Sequence, residues 1–240
     1  MRQVPYYLII GSGRVASHFK HYFSLLNLSY SFWHRKQPIS SLYQELKRAT
    51  HILLLISDHA INSFFTEHLQ QHSTDLTLIH FSGSLVLDHV YGAHPLMTFS
   101  RDLYHLEQYQ SIPFIVDHDA PSFADLLPGL PNPHMQLHKS LKPKYHALCV
   151  LSGNFSCMLW QKLFNTLEDE FHIPKTFAFS YLNQQMNNLL TNSITAMTGP
   201  LVRRDVVTIE KNIAALECDP FQKVYESFVI CYEKIKRSEA

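Results

Sequence analysis

The sequence predicts a doubly wound, mostly parallel α/β sheet followed by an all-helical half, and three observations carry that prediction. Short apolar runs alternate with amphipathic stretches through the first half. One of those runs, His51–Ile56, is apolar almost throughout, as a strand buried on both faces must be. After Pro143 the apolar residues recur at helical spacing to the end of the chain.

The elements follow in order. Tyr6–Ile10 is an apolar run that stops at Gly11, and it reads as a strand rather than a signal peptide. Val15, Phe19, Tyr22, Phe23 and Leu26 then mark a helix, Tyr30–Trp33 a second strand, and Leu42, Leu46 and Ala49 a second helix. The His51–Ile56 strand is followed by a helical pattern at Ile61, Phe64, Phe65 and Leu69, and by a fourth strand at Leu76–Phe81. Shorter strands are expected near residues 91–96, 112–117 and 134–138, with a small helix between Pro121 and Leu127. In the second half Leu148, Leu151, Phe155, Met158, Leu159, Leu163 and Leu167 share one face of a helix that runs to about Phe171. Residues 181–198 and 205–217 also read as helices. The last helix starts on an Asp219 cap with Pro220 in its first turn, and its stripe runs from Phe221 to Ile235. The texture change sets domains of 1–141 and 142–240.

Composition narrows the function. Of 240 residues 46% are hydrophobic and 17% charged, with twenty basic and twenty acidic side chains, and each half is close to neutral. That balance argues against nucleic acid as a partner, and no apolar run reaches the ~18 residues that a membrane span needs. Four cysteines without C-x-x-C or framework spacing suit a reducing cytoplasm. The sixteen histidines scatter. The pairs His18/His21 and His134/His138 have helix-like spacing, but one lies beside a glycine loop and the other in a predicted strand, so no metal is expected.

With only seven glycines in the chain, each is more telling. Gly11-Ser12-Gly13-Arg14-Val15-Ala16 joins the first strand to the first helix, which is the context that a G-x-G-x-x-A dinucleotide loop requires. The helix N-terminus then faces the pyrophosphate. The second strand ends in Trp33-His34-Arg35-Lys36, two cations where an NAD site would carry Asp or Glu, so the expected cofactor is NADP. Ser57, Ser82 and Gly83 follow the third and fourth strands and complete the cofactor candidates. Gly92-Ala93-His94-Pro95 ends a fifth strand in polar and small residues, and Thr198-Gly199-Pro200 breaks a helix just before Arg203, Arg204 and Asp205.

The stretches HFSGSL, GAHPLMTF, KYHALCVLSGN and TGPLVRRD, in this order behind the glycine loop, resemble an uncharacterised family of Rossmann-like proteins whose helical C-terminal half is a domain of unknown function. That family is similar in organisation to pyrroline-5-carboxylate reductase. The resemblance implies an NADP-binding domain and a helical domain that forms a homodimer. It also marks Gly11, Gly13, Ser82, Gly83, His94, Pro95, Tyr145, His146, Asn154, Thr198, Gly199, Pro200, Arg203 and Asp205. Arg204 stands where the family has glycine, and Asn212 where a histidine is common.

The reading is an NADP(H)-dependent oxidoreductase acting on a small C=O or C=N compound in a cleft between the halves. His94 or His146 would donate the proton, Arg203 would hold a substrate carboxylate, and Asp205 would support one of them. A non-catalytic NADP-binding sensor or interaction protein, or a nucleotide-using enzyme of another type, are the alternatives. A sensor would have its nicotinamide end plugged by side chains, and Arg204 is bulky enough to contribute.

Overall fold

The computed structural model describes residues 4–72 and 75–238. The chain divides into two compact units, residues 1–158 and 159–240.

The first unit is built on a seven-stranded sheet of order β2-β1-β3-β4-β5-β6-β7. Its strands are β1 (Tyr7–Ile10), β2 (Tyr30–Trp33), β3 (His51–Leu54), β4 (Thr77–His80), β5 (Tyr91–Pro95), β6 (Phe114–Asp117) and β7 (His134–Leu137). All neighbours pair in parallel except β5 and β6. The helices are α1 (Arg14–Leu25), α2 (Ile39–Leu46), α3 (Asp58–Phe64), α4 (Leu106–Gln110), α5 (Phe123–Leu126) and α6 (Lys142–Cys149).

Side-chain alternation along β1 explains why the sheet is covered twice. Tyr7 and Ile9 point to one face, where they join Leu53, Ile79, and Phe19 and Phe23 of α1. Leu8 and Ile10 point to the other, where they join Leu54, Leu42 and Leu46 of α2, and Ile61 of α3. Every residue of β1 and β3 is buried, so neither strand shows the polar alternation of a half-exposed sheet. All seven strands lie where the sequence places them. The short α4 is an element that the sequence reading lacks. Its one buried residue, Tyr109, is too few for a visible period.

The long helix expected from Pro143 to about Phe171 runs as α6, a π-helical stretch at Val150–Phe155, and α7 (Ser156–Asp169). In the second unit follow α8 (Phe179–Thr191), α9 (Pro200–Arg203), α10 (Val206–Ala215) and α11 (Phe221–Ser238). The helix expected over 181–198 stops early. Asn192 is extended, and its side-chain oxygen accepts from the Ile194 and Thr195 N–H groups at 3.1 and 3.3 Å. An Asn that bonds the backbone ahead of it offers an alternative to another helical turn. The expected Asp219 cap is present, accepting from the Phe221 N–H at 2.9 Å, and Asp205, read from the sequence as a site residue, caps α10 by accepting from the Thr208 N–H at 3.1 Å.

The apolar stripes of α7, α8, α10 and α11 are not buried within the chain. None of these helices holds a buried residue, and Leu190, Val207 and Phe228 are 86%, 62% and 52% exposed.

One interaction ties the end of the sheet to α6. Lys142 Nζ donates to Asp117 Oδ1 at 2.7 Å, and the Gly92 N–H donates to Oδ2 at 2.7 Å. Both charged side chains are essentially inaccessible, at 5% and 1% exposure. Removing one partner of such a pair leaves a buried charge uncompensated. Lys142→Ala is therefore expected to cost ~3–5 kcal/mol in chemical denaturation. Lys142→Met combined with Asp117→Asn removes both charges, keeps an acceptor for Gly92, and is expected to cost clearly less.

Candidate functional site

The carboxyl ends of β1 to β5 open into a cavity of about 720 Å³. It is lined by the Gly11–Val15 loop, by His34 and Arg35 beyond β2, by Ser57 and Asp58 beyond β3, by Ser82 beyond β4, and by His94 of β5. Parallel strands place ligands there because each strand end leaves a turn and a helix N-terminus facing the same side.

The loop geometry depends on its first glycine. Gly11 has φ +140°, and a Cβ on it would lie 2.1 Å from the Leu55 carbonyl oxygen. No L side chain fits that crossing of β1 over the end of β3. At Gly13, the residue before α1, a Cβ would meet nothing within 4 Å. That glycine is thus a matter of open space toward the cavity, with the first N–H groups of α1 behind it. Arg14 lines the cavity and donates to the Phe99 carbonyl at 3.1 Å. Arg35 lies on the rim and is exposed; Lys36 is exposed beside it and does not line the cavity.

At the opposite end Ser82 is buried, and its hydroxyl donates to Asp58. The same hydroxyl accepts from the Leu85 N–H at 3.0 Å. His94 is paired through Nδ1 with the Tyr145 hydroxyl at 2.8 Å, and its ring meets that of His146 edge-on with centroids 5.7 Å apart. Gly83 sits between the two imidazoles. A Cβ there would lie 2.4 Å from His146 Nδ1 and 3.1 Å from His94 Nε2. Lys142, Tyr145 and His146 reach this point together because residues three and four apart share a helix face, and the ion pair with Asp117 fixes which face that is.

Burial shapes the protonation of the cluster. His94 is pushed down to about 4, first by burial, then by His146 and Lys142, with Asp58 partly offsetting them. His80, at the end of β4, is pushed down to about 3 by burial and by Lys142. Its Nδ1 accepts from the Ser82 N–H at 3.3 Å, so Nε2 carries the proton, and that buried atom reaches no partner among the described residues. Burial also pushes the Tyr145 phenol upward. His80 and His94 are thus neutral imidazoles, and Tyr145 a neutral phenol, at pH 7.

Among the residues the sequence singled out, the first unit gathers Gly11, Ser12, Gly13, Arg14, Val15, Arg35, Ser57, Ser82 and His94 on one cavity, with Gly83 and His146 packed behind His94. Arg203 and Asp205 lie in the second unit. Arg203 ends α9, and Asp205 caps α10, its Oδ2 accepting from the Thr208 hydroxyl at 2.7 Å. Between them Arg204 has φ +55°, a left-handed conformation that ends α9. A residue with a Cβ gives up roughly 1–2 kcal/mol there relative to the right-handed region. Among the described residues no group of three or more His, Cys, Asp or Glu side chains is placed to hold a metal. His18 is occupied by the Tyr109 hydroxyl at 2.8 Å and the Ser100 carbonyl at 3.0 Å. No helix of the described residues is long and apolar enough to cross a membrane.

Asp58 and the Asp117–Lys142 pair escaped the sequence reading. Asp58 directly follows Ser57 at a strand end, so the same positional argument reaches it. The ion pair joins residues 25 apart with no local pattern to announce it.

Residues 114–230 match a domain of unknown function, DUF2520. That domain runs from the start of β6 into α11, and so holds Asp117, Lys142, Tyr145 and His146, while the glycine loop and His94 precede it. No curated protein matches the chain in sequence. Among solved structures, BF3122 of Bacteroides fragilis, provisionally assigned as an NADP oxidoreductase, is similar at 18% identity and TM-score 0.75, covering 96% of this chain and 98% of that one. An imine reductase from Myxococcus stipitatus in complex with NADP+ is similar at 13% identity and TM-score 0.64, covering 98% and 95%. Plasmodium falciparum pyrroline carboxylate reductase with NADP bound is similar at 10% identity and TM-score 0.59, covering 98% and 98%. These likenesses establish the fold: a Rossmann sheet followed by a helical region.

The buried histidines make stability depend on pH. His51, His80 and His94 are all held below the ordinary imidazole value of 6.5. Below 6.5 the unfolded chain takes up protons that the folded chain refuses, so stability rises with pH. The contribution is complete above about pH 6.5 and is lost as pH falls toward 4 and 3. Urea midpoints are expected to drop between pH 7.5 and pH 5, and His94→Gln should flatten that slope.

Proposed function

We propose that this protein is an NADP(H)-dependent oxidoreductase that reduces a small C=O or C=N compound, working as a homodimer in a reducing cytoplasm. The observation that carries the reading is the single cavity that runs from Arg35, past the Gly11–Val15 loop, to Ser82 and His94. From the β1 end to the β5 end is three strand spacings, roughly 14 Å at ~4.8 Å each, a span suited to the pyrophosphate-to-nicotinamide half of a dinucleotide. The solved reductases of the same fold that carry NADP(H) support the choice of cofactor.

The residues fit the group. The open space over Gly13 and the free N–H groups of α1 suit a pyrophosphate. Arg35 and Lys36 suit a 2′-phosphate, and the described lining has no carboxylate at the end of β2 that would favour a bare ribose. The cofactor, when bound, supplies a hydride. Ser57 and Ser82 border its nicotinamide end. His94 lines the substrate end, Tyr145 fixes its ring through Nδ1, and Gly83 and His146 pack against it. A non-catalytic sensor would fill this end with side chains, whereas Ser82, His94 and Pro95 border open space. The free cysteines support a reducing compartment. The homodimer is supported by the unburied stripes of α7, α8, α10 and α11, which a second copy would cover.

Titration should give a Kd for NADPH at least about 10-fold below that for NADH, the scale of one charge-assisted hydrogen-bonded pair. Arg35→Glu should narrow or reverse the preference, and equal affinities in the unmutated protein would overturn the NADP assignment. Light scattering at micromolar concentration should return the mass of two chains, and a monomer would overturn the homodimer.

A further inference from the structure

Residues 96–105 join β5 to α4 without helix or strand, yet two of them, Met97 and Phe99, line the cavity beside His94 and Pro95. An irregular segment has no ladder of its own, so its backbone groups need other partners. Side chains of α1 and a tyrosine supply them. Arg14 donates to the Phe99 carbonyl at 3.1 Å, and His18 meets the Ser100 carbonyl at 3.0 Å. The Tyr104 hydroxyl accepts from the Ser100 N–H at 3.0 Å and donates to the Thr98 carbonyl at 2.7 Å. The partners of His18 fix its tautomer. The Tyr109 hydroxyl accepts from the Tyr104 N–H at 3.2 Å and so directs its own proton to His18 Nδ1, 2.8 Å away. Nε2 then carries the ring proton and donates it to the Ser100 carbonyl, which can only accept. The His18 ring is 1% exposed and packs on both Phe99 and Tyr104, with centroids at 4.9 and 4.7 Å.

We infer that His18 is a positioning residue for the nicotinamide half of the cofactor. It does not line the cavity itself, but it fixes the residues that do. With the Phe99 and Ser100 carbonyls both held by α1, Met97 and Phe99 present an apolar wall on the β5 side, next to His94. A nicotinamide that reaches past Ser82 lies against that wall, which keeps water from one side of the ring. The inference rests on the NADP(H) reading of the cavity and adds to it a residue that acts from behind the lining. Arg35 and His34, at the β2 end, have no part in this network. His18 therefore bears on one half of the cofactor and leaves the adenine half alone.

The test titrates the full chain with NADPH and with adenosine 2′,5′-bisphosphate, which carries the adenine half and no nicotinamide. His18→Leu removes the donor to Ser100 and should raise the Kd for NADPH at least about 10-fold, while the bisphosphate stays within about twofold. His18→Gln, whose amide N–H can take the place of Nε2–H toward Ser100, should bring NADPH back to within about threefold of the unmutated chain. An unchanged NADPH affinity in His18→Leu overturns the inference. So does an equal loss for both compounds, which is what a role in the fold alone would give, and so does a His18→Gln chain as weak as His18→Leu. Should His18→Leu not fold, Phe99→Ala takes its place: it should show the same split between the two compounds, and no split overturns the inference. Failure of the unmutated chain to bind either compound would sink the NADP(H) reading itself, and the positioning role with it. Binding of both compounds with no effect of His18 would sink the positioning role alone.

Discussion

The arrangement of the site depends on one buried ion pair. Asp117 ends β6, and its two carboxylate oxygens are shared between Lys142 and the Gly92 N–H. β5 and β6 are the antiparallel neighbours in an otherwise parallel sheet, so this contact sits where the strand direction reverses. It fixes α6 against the sheet two residues before His94 and one helical turn before Tyr145 and His146. Gly92 has no side chain because a Cβ there would lie 2.2 Å from Lys142 Nζ. The cost of burying two charges is met by their mutual geometry and by the backbone donor. The pair's worth therefore lies in the placement it enforces more than in net stability.

The same lysine also acts at a distance. Paired as it is, its charge still reaches His80 and His94 and works with burial to keep both rings neutral. The cavity is thereby graded along its length. Guanidinium groups stand on the β1–β2 side, amide donors in the middle, and neutral rings with one carboxylate on the β3–β5 side. A dinucleotide with phosphates at one end and an uncharged or cationic ring at the other follows the same gradient.

The strands were legible in the sequence because the sheet is buried on both faces. Runs such as Tyr6–Ile10 and His51–Ile56 have few other ways to satisfy their apolar side chains. The helical boundaries were less legible. Asn192 ends α8 through its own side chain, a local bond that overrides a continuing apolar period. The glycine loop and the strand-end residues Ser82 and His94 could be found by position alone. The pairing of His94 with Tyr145 spans 51 residues, and only the family resemblance drew attention to Tyr145. The Asp117–Lys142 pair had neither spacing nor motif to mark it.

Arg204 carries a consequence that its native contacts do not contain. Its left-handed backbone is a conformation that glycine enters freely and arginine resists. Yet a glycine there would leave the denatured chain more states to explore, and losing that freedom opposes folding by about 0.4–1 kcal/mol. The arginine therefore restricts the unfolded ensemble while it strains the folded one, and the two effects partly cancel. The net effect of this residue on folding is smaller than its backbone angle suggests, and part of its origin lies in a state with no α9 at all.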